Sequence, residues 1–235
     1  MKIMSDLDEF KRRLSSDWLV PFCNARGYSP GGFDISSIEN LSGADARDFM
    51  QAIDNGVVLH RDGVFSTPRS KAREQIFWEG FRNSEPRKIF LWREPIITIA
   101  GMMRMHRDFD WGLNRLGMQS HSWAFDLVGY ADDYSTELLV CEVKKSEREI
   151  DNFLKLMEIH LKAPAETDFK GAERNAFKKV LALRQSKCSI FWALGPNGYS
   201  HVFNVIRDSP NSFYLEATSE SALSQPTHNN AIKLT

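Results

Sequence analysis

Residues 123–146 constrain the fold more than any other stretch of the 235-residue chain. Residues 123–130 are largely aromatic and aliphatic, and residues 137–143 return with Leu138, Leu139, Val140 and Val143. Between them Asp132, Asp133 and Ser135 favour a turn, so the pattern predicts a β-hairpin. Three of its residues do not suit a plain core strand. Asp126 stands between Phe125 and Leu127, Glu142 stands between Cys141 and Val143, and Lys144 follows. A carboxylate taken out of water is costly unless it is paired or bound to a cation. Side chains two apart on a strand share a face. Glu142 and Lys144 therefore project together, and Asp126 can meet them from the adjacent strand. A pair of hard carboxylates suits Mg²⁺ or Mn²⁺, which keep several waters. A cation so held can turn a water into a nucleophile, and an ammonium beside it can steady growing negative charge. The plain alternative is a surface salt bridge between Glu142 and Lys144, with Asp126 capping a turn, since a lone Glu-x-Lys has many innocent occurrences. The position of Asp126 inside an apolar run favours a site. Lys145 reads as an outward, solvated lysine or a phosphate contact.

Asp126 in one strand, a turn, then Glu142-Val143-Lys144 at the end of the next resembles the PD-(D/E)xK motif of the restriction-endonuclease-like nucleases. The resemblance implies an α/β (α+β) domain with a central mixed β-sheet flanked by helices. The core order would be α-β-β-β-α-β, with the acids on the second and third strands. It implies a divalent-metal-dependent nuclease that hydrolyses phosphodiester bonds, in DNA more often than RNA, and leaves a 5′-phosphate. It implies Mg²⁺ or Mn²⁺ as cofactor, held by Asp126, Glu142 and the Val143 backbone carbonyl, with Lys144 positioning the attacking water. In this family a helix before the acid strands often adds a carboxylate. Glu94 is the first choice and Glu79 the second; the competing reading of Glu94 is a charge complementing its helix N-terminus. Phe125 stands where the family motif has Pro. The rival function is a non-catalytic nucleic-acid-binding or protein-interaction module built on the same fold. A homodimer, or membership of a defence or repair complex, is the partner expectation from the family.

Composition narrows the alternatives. Apolar residues make up 42% and charged residues 26%, ordinary values for a globular domain with its own core. No apolar run approaches the roughly 18 residues of a membrane span, and the charged start MKIMSDLDEFKRRL has no signal-peptide apolar region. Cys23, Cys141 and Cys188 are scattered, without metal-ligand spacing. These features predict a cytoplasmic protein with buried thiols and no membrane partner. A net charge of −1 and a pI near 6.6 argue against a generally basic nucleic-acid binder. Residues 66–107 nevertheless hold nine Lys/Arg against four Asp/Glu, either a phosphate track or solvated helix faces. The absence of a Walker phosphate loop, Gly-x-Gly-x-x-Gly, Gly-x-Ser-x-Gly and His-Glu-x-x-His counts against nucleotide hydrolysis, dinucleotide chemistry, serine esterases and zincin proteases.

Three segments are expected along the chain. Residues 1–67 read as a helical, winged-helix-like subdomain. It has a first helix bearing Leu7, Phe10 and Leu14, a second opened by Ser42 and closed at Asn55-Gly56, and a small hairpin around Asp62-Gly63. Residues 68–217 read as the nuclease-like α/β domain. Its spacing predicts a helix over 70–81, a strand over 88–92 and a helix entered at Glu94-Pro95. A strand within 116–123 would bring Gln119 or His121 to the cleft. Ser146 and Glu149 form a capping box for the helix after Lys144. Another helix is expected over 168–185, with Lys170, Arg174, Lys178 and Lys179 away from its apolar face, as solvated side chains first and a phosphate-binding edge second, followed by strands about the turn Gly195-Pro196-Asn197-Gly198. Residues 218–235, rich in Ser, Gln, Asn and Thr, read as a mobile tail.

Overall fold

The computed structural model describes residues 4–68, 70, 72–80, 83–161, 169–209 and 212–226. Helix α1 (Asp6–Arg13) starts at Ser5, whose hydroxyl accepts the Asp8 N–H, and its acidic first turn and basic last turn suit the helix dipole. It runs through a π-helical stretch, Leu14–Leu19, into α2 (Val20–Asn24). Ser42 caps α3 (Gly43–Asp54) in the same way as Ser5. Strands β1 (Leu59–Arg61) and β2 (Val64–Ser66) pair across Asp62 and Gly63, both at positive φ, the backbone that a tight two-residue turn demands.

The helix expected over 70–81 is replaced by two strands. β3 (Arg73–Gln75) pairs with β2, and β4 (Phe77–Glu79) pairs with β5 (Ile89–Leu91). Side-chain oxygens divert the backbone at the start of this stretch. Thr67 Oγ1 accepts from the Ser70 N–H at 3.1 Å, and Ser70 Oγ accepts from the Ala72 N–H at 3.1 Å. The edges of β2 and β5 then offer ladder partners that outweigh the helical spacing of Ile76 and Phe77. Phe81 lies outside the described residues.

The main layer follows as α4 (Arg93–Asp108), β6 (Leu116–Met118), β7 (Leu127–Tyr130) and β8 (Glu137–Val143). The chain continues with α5 (Glu147–His160), α6 (Gly171–Gln185), β9 (Ile190–Leu194), β10 (Ser200–Ser209) and β11 (Ser212–Thr218). The strands form one six-stranded sheet in the order β11-β10-β9-β8-β7-β6. All neighbours are antiparallel except β8 and β9, which are parallel. A parallel pair needs a long crossover, and α5 and α6 supply it. Between β7 and β8 the Asp133 carboxylate accepts the Ser135 and Thr136 N–H groups, which fixes the turn.

Alternation along β8 separates two cores. Leu139, Cys141 and Val143 join the core that holds α4 and the N-terminal helices, while Val140 joins the core under α5 and α6. α4 is apolar on most sides because it is sandwiched. Gly101 lets it sit tightly on the sheet, since a Cβ there would lie 2.6 Å from Leu194 Cδ2. Toward the N-terminal layer, Arg104 bonds buried Asp45 at 2.5 Å and buried Asp48 at 2.8 Å, and Arg107 bonds Asp48 at 2.8 Å. The protein is thus a mixed α/β structure, a central mixed sheet with helices on both faces. Among the described residues no helix is long and apolar enough to cross a membrane.

The stretch read as a mobile tail is held down as far as residue 226. Leu223 is fully buried, and its carbonyl accepts the Trp111 Nε1–H at 2.6 Å. The Gln225 N–H donates to the Phe109 carbonyl, and the Gln225 side chain accepts the Gly112 N–H. A single apolar anchor in polar surroundings suffices here, and composition alone hides it. Residues 227–235 of the expected tail lie outside the described residues.

Candidate functional site

The site grows from the point where the β7–β8 ladder ends. The last paired residues are Leu127 and Cys141, and Asp126 adds one more bond, from its N–H to the Cys141 carbonyl. Beyond that the two chains part, because the Phe125 carbonyl turns to the Ser120 N–H. The Val143 N–H is then met by a side chain instead of a strand: Asp126 Oδ2 accepts it at 2.8 Å. This places the Asp126 carboxyl beside residues 142–144. The carboxyl keeps part of its surface open to solvent. Burial, and then the negative charge of Glu142, push its pKa up to about 7 against the pull of Lys179, the Val143 N–H and Lys144.

Glu142 is buried, with 2% of its side chain exposed, yet it is held as a charged partner by two lysines. Lys144 Nζ lies 2.5 Å from Oε1 and also donates to the Val143 carbonyl at 3.1 Å. Lys179 Nζ lies 2.5 Å from Oε2. That second contact lacks hydrogen-bond geometry, and Oε2 accepts no hydrogen bond from the described residues. The directed bond of Lys179 goes to the Ala124 carbonyl. The two ammoniums also sit against aromatic rings, Lys144 near Phe153 of α5 and Lys179 near Phe125. Burial pulls the Lys144 pKa down, but the charge and hydrogen bond of Glu142, helped by Asp126 and Glu94, outweigh it and raise the pKa above its ordinary value. Lys144 is therefore a fixed cation, suited to orienting or stabilising a charge and unsuited to taking a proton.

The remaining residues named from sequence fall into two groups. Glu94, in the first turn of α4, is close enough for its charge to act on Lys144 and on Glu74 of β3. Glu79 is directed elsewhere, to Arg26 at 3.2 Å, Arg87 at 3.2 Å and the Tyr28 hydroxyl at 2.9 Å. Lys145 is half exposed and 3.5 Å from Glu149. Gln119 donates to Glu74 at 2.9 Å, whereas His121 turns outward to the Ser135 carbonyl.

Two further residues, Lys179 and Glu74, belong to the neighbourhood of the site. Lys179 was expected on the solvated side of its helix, and it instead points into the site with 11% of its side chain exposed. The spacing Ala176, Lys179, Leu183 places it on the buried stripe of α6, a lysine at a core position. Glu74 left no comparable signal once its stretch was read as helix. Burial first, and then the charge of Glu94, raise the Glu74 pKa above the usual carboxylate value. A cavity of about 340 Å³, lined in part by Ser70, Gln119, Ser120 and Trp123, opens next to this acidic edge. A larger one, about 980 Å³ along α5 and β11, shares none of these residues.

Among the described residues no group of three or more His, Cys, Asp or Glu side chains is placed to hold a metal ion by itself. The oxygen donors at hand are the Asp126 and Glu142 carboxylates and the Val143 carbonyl. No protein-family model, curated protein or solved structure matches the chain.

Proposed function

We propose that the protein is a divalent-metal-dependent nuclease that hydrolyses phosphodiester bonds of DNA, with a restriction-endonuclease-like core. One observation carries this reading: Asp126, just before β7, accepts the Val143 N–H and feels the charges of Glu142 and Lys144, and the Lys144 ammonium lies 2.5 Å from Glu142. The order α4-β6-β7-β8-α5-β9, with α6 added to the crossover, agrees with the α-β-β-β-α-β order that the motif resemblance implies.

The donor set fits Mg²⁺ or Mn²⁺, which are bound through one or two carboxylates and keep most of their waters. Asp126, Glu142 and the Val143 carbonyl would hold the ion, and Glu94, whose charge reaches Lys144, is the further carboxylate that the motif resemblance suggests. When bound, it would lower the pKa of a coordinated water and offset negative charge on the phosphate. The chain's own groups do the positioning. The Val143 N–H fixes the Asp126 carboxyl, and Glu142 fixes Lys144 as a charged group. Lys144 then orients the attacking water and steadies the charge that grows in the transition state. An Asp126 carboxyl with its pKa raised to about 7 by burial and by Glu142 is one that gains from a nearby cation.

A non-catalytic binding or interaction module draws support from a different observation, the pair of lysines that already neutralises Glu142. Cleavage separates the two. Purified protein should cut DNA in the presence of Mg²⁺, and Asp126→Ala and Lys144→Ala proteins with unchanged circular dichroism should not. If neither DNA nor RNA is cut with Mg²⁺ or Mn²⁺, the nuclease reading fails. Nucleic-acid binding that persists unaltered in Asp126→Ala, without cleavage by the parent, would favour the module.

A further inference from the structure

We infer that Lys179 is a displaceable counter-ion, an ammonium that holds Glu142 Oε2 in the resting protein and withdraws from it when a divalent cation binds. The inference rests on the reading of Asp126 and Glu142 as divalent ligands. Both oxygens of Glu142 have an ammonium at 2.5 Å, so a cation approaching this carboxylate meets positive charge at each oxygen, and withdrawal of one ammonium eases its approach. The two lysines are not equivalent. Lys144 makes a true hydrogen bond to Oε1 and is fixed by its place directly after β8. Lys179 holds Oε2 by charge alone, and its directed bond is to the neutral Ala124 carbonyl on the turn before Asp126. An ammonium has three donors on a flexible stem. Lys179 can therefore leave Oε2 while keeping the Ala124 carbonyl and without giving up a hydrogen bond to Glu142. Lys144, although it also has the Val143 carbonyl, would have to break its hydrogen bond to Oε1.

The logic of charge points the same way. Glu142 is too deeply buried to stand alone, and with Lys179 present its charge is compensated before any cation arrives. A divalent ion entering beside two ammoniums meets like-charge repulsion, which the loss of one ammonium relieves. Glutamine at position 179 keeps a donor for the Ala124 carbonyl and removes the charge.

The test is isothermal titration of Mn²⁺ into wild-type, Lys179→Gln and Lys179→Arg proteins. Lys179→Gln should bind Mn²⁺ about tenfold tighter or more, and Lys179→Arg should stay within about threefold of wild type. A Lys179→Gln protein that binds Mn²⁺ no tighter than wild type overturns the inference and leaves the metal reading standing. Absence of Mn²⁺ binding in all three removes both. A second measurement needs no variant. Labelling of Lys179 by an amine-reactive ester in the wild-type protein, followed by peptide mass spectrometry, should increase when Mn²⁺ is added. Unchanged or reduced labelling contradicts the withdrawal.

Discussion

Replacing Asp126 with Asn should stabilise the metal-free protein, and the gain should depend on pH. Burial and the charge of Glu142 raise the Asp126 pKa to about 7 from an ordinary 3.8. A carboxyl whose folded pKa lies above its unfolded value favours folding while it is protonated. That contribution is complete below about pH 4 and is lost as pH rises to about 7. A difference of about three units, at about 1.4 kcal/mol each, sets a ceiling of about 4 kcal/mol. Solvent at the partly exposed carboxyl screens part of this and leaves about 2 kcal/mol or more. Asparagine imitates the neutral acid and can still accept the Val143 N–H. Urea unfolding in a chelating buffer should therefore show Asp126→Asn more stable than wild type at pH 8, with the gap closing toward pH 4. Added Mn²⁺ should narrow the gap at pH 8 by stabilising only the wild type. A gap that ignores pH, or a variant less stable at pH 8, would refute the claim that the ionised carboxyl is strained in its place.

Two further predictions concern the scaffold. Arg104→Ala removes the cation paired with buried Asp45 and one of those paired with buried Asp48, which keeps Arg107. It should cost about 3 kcal/mol in urea unfolding because it leaves the Asp45 charge uncompensated. Trp111→Phe keeps an aromatic side chain but loses part of a buried indole and the bond to the Leu223 carbonyl. It should cost about 2–3 kcal/mol and speed limited proteolysis within residues 219–226.

Much of the local structure could be read from residue types. The Ser146 cap, the Asp133 turn and the apolar runs of β7 and β8 are short-range features, and each formed where local chemistry placed it. Asp126, Glu142 and Lys144 were brought together for the same reason, since strand alternation determines which side chains can meet. What stayed hidden depends on partners distant in sequence. Residues 73–79 have helical spacing, and only the edges of β2 and β5 make them strands. Lys179 looks like one more surface lysine until a buried glutamate on the sheet beneath its helix gives it a reason to be inside. Leu223 lies in a polar stretch, and Trp111 supplies its partner from far earlier in the chain.

The clasp on Glu142 bears on how the chain assembles. β8 can pair with β7 early, because the turn between them is local, but the crossover must be laid down before α6 delivers Lys179. Until then a sheet that shed its water would strand an acid with only Lys144 for company. Drying of the α5–α6 face is therefore expected to coincide with the docking of α6, which makes that helix a gatekeeper of the final folding step. A chain nicked between β8 and α6 would need both pieces present before either could bury its charge.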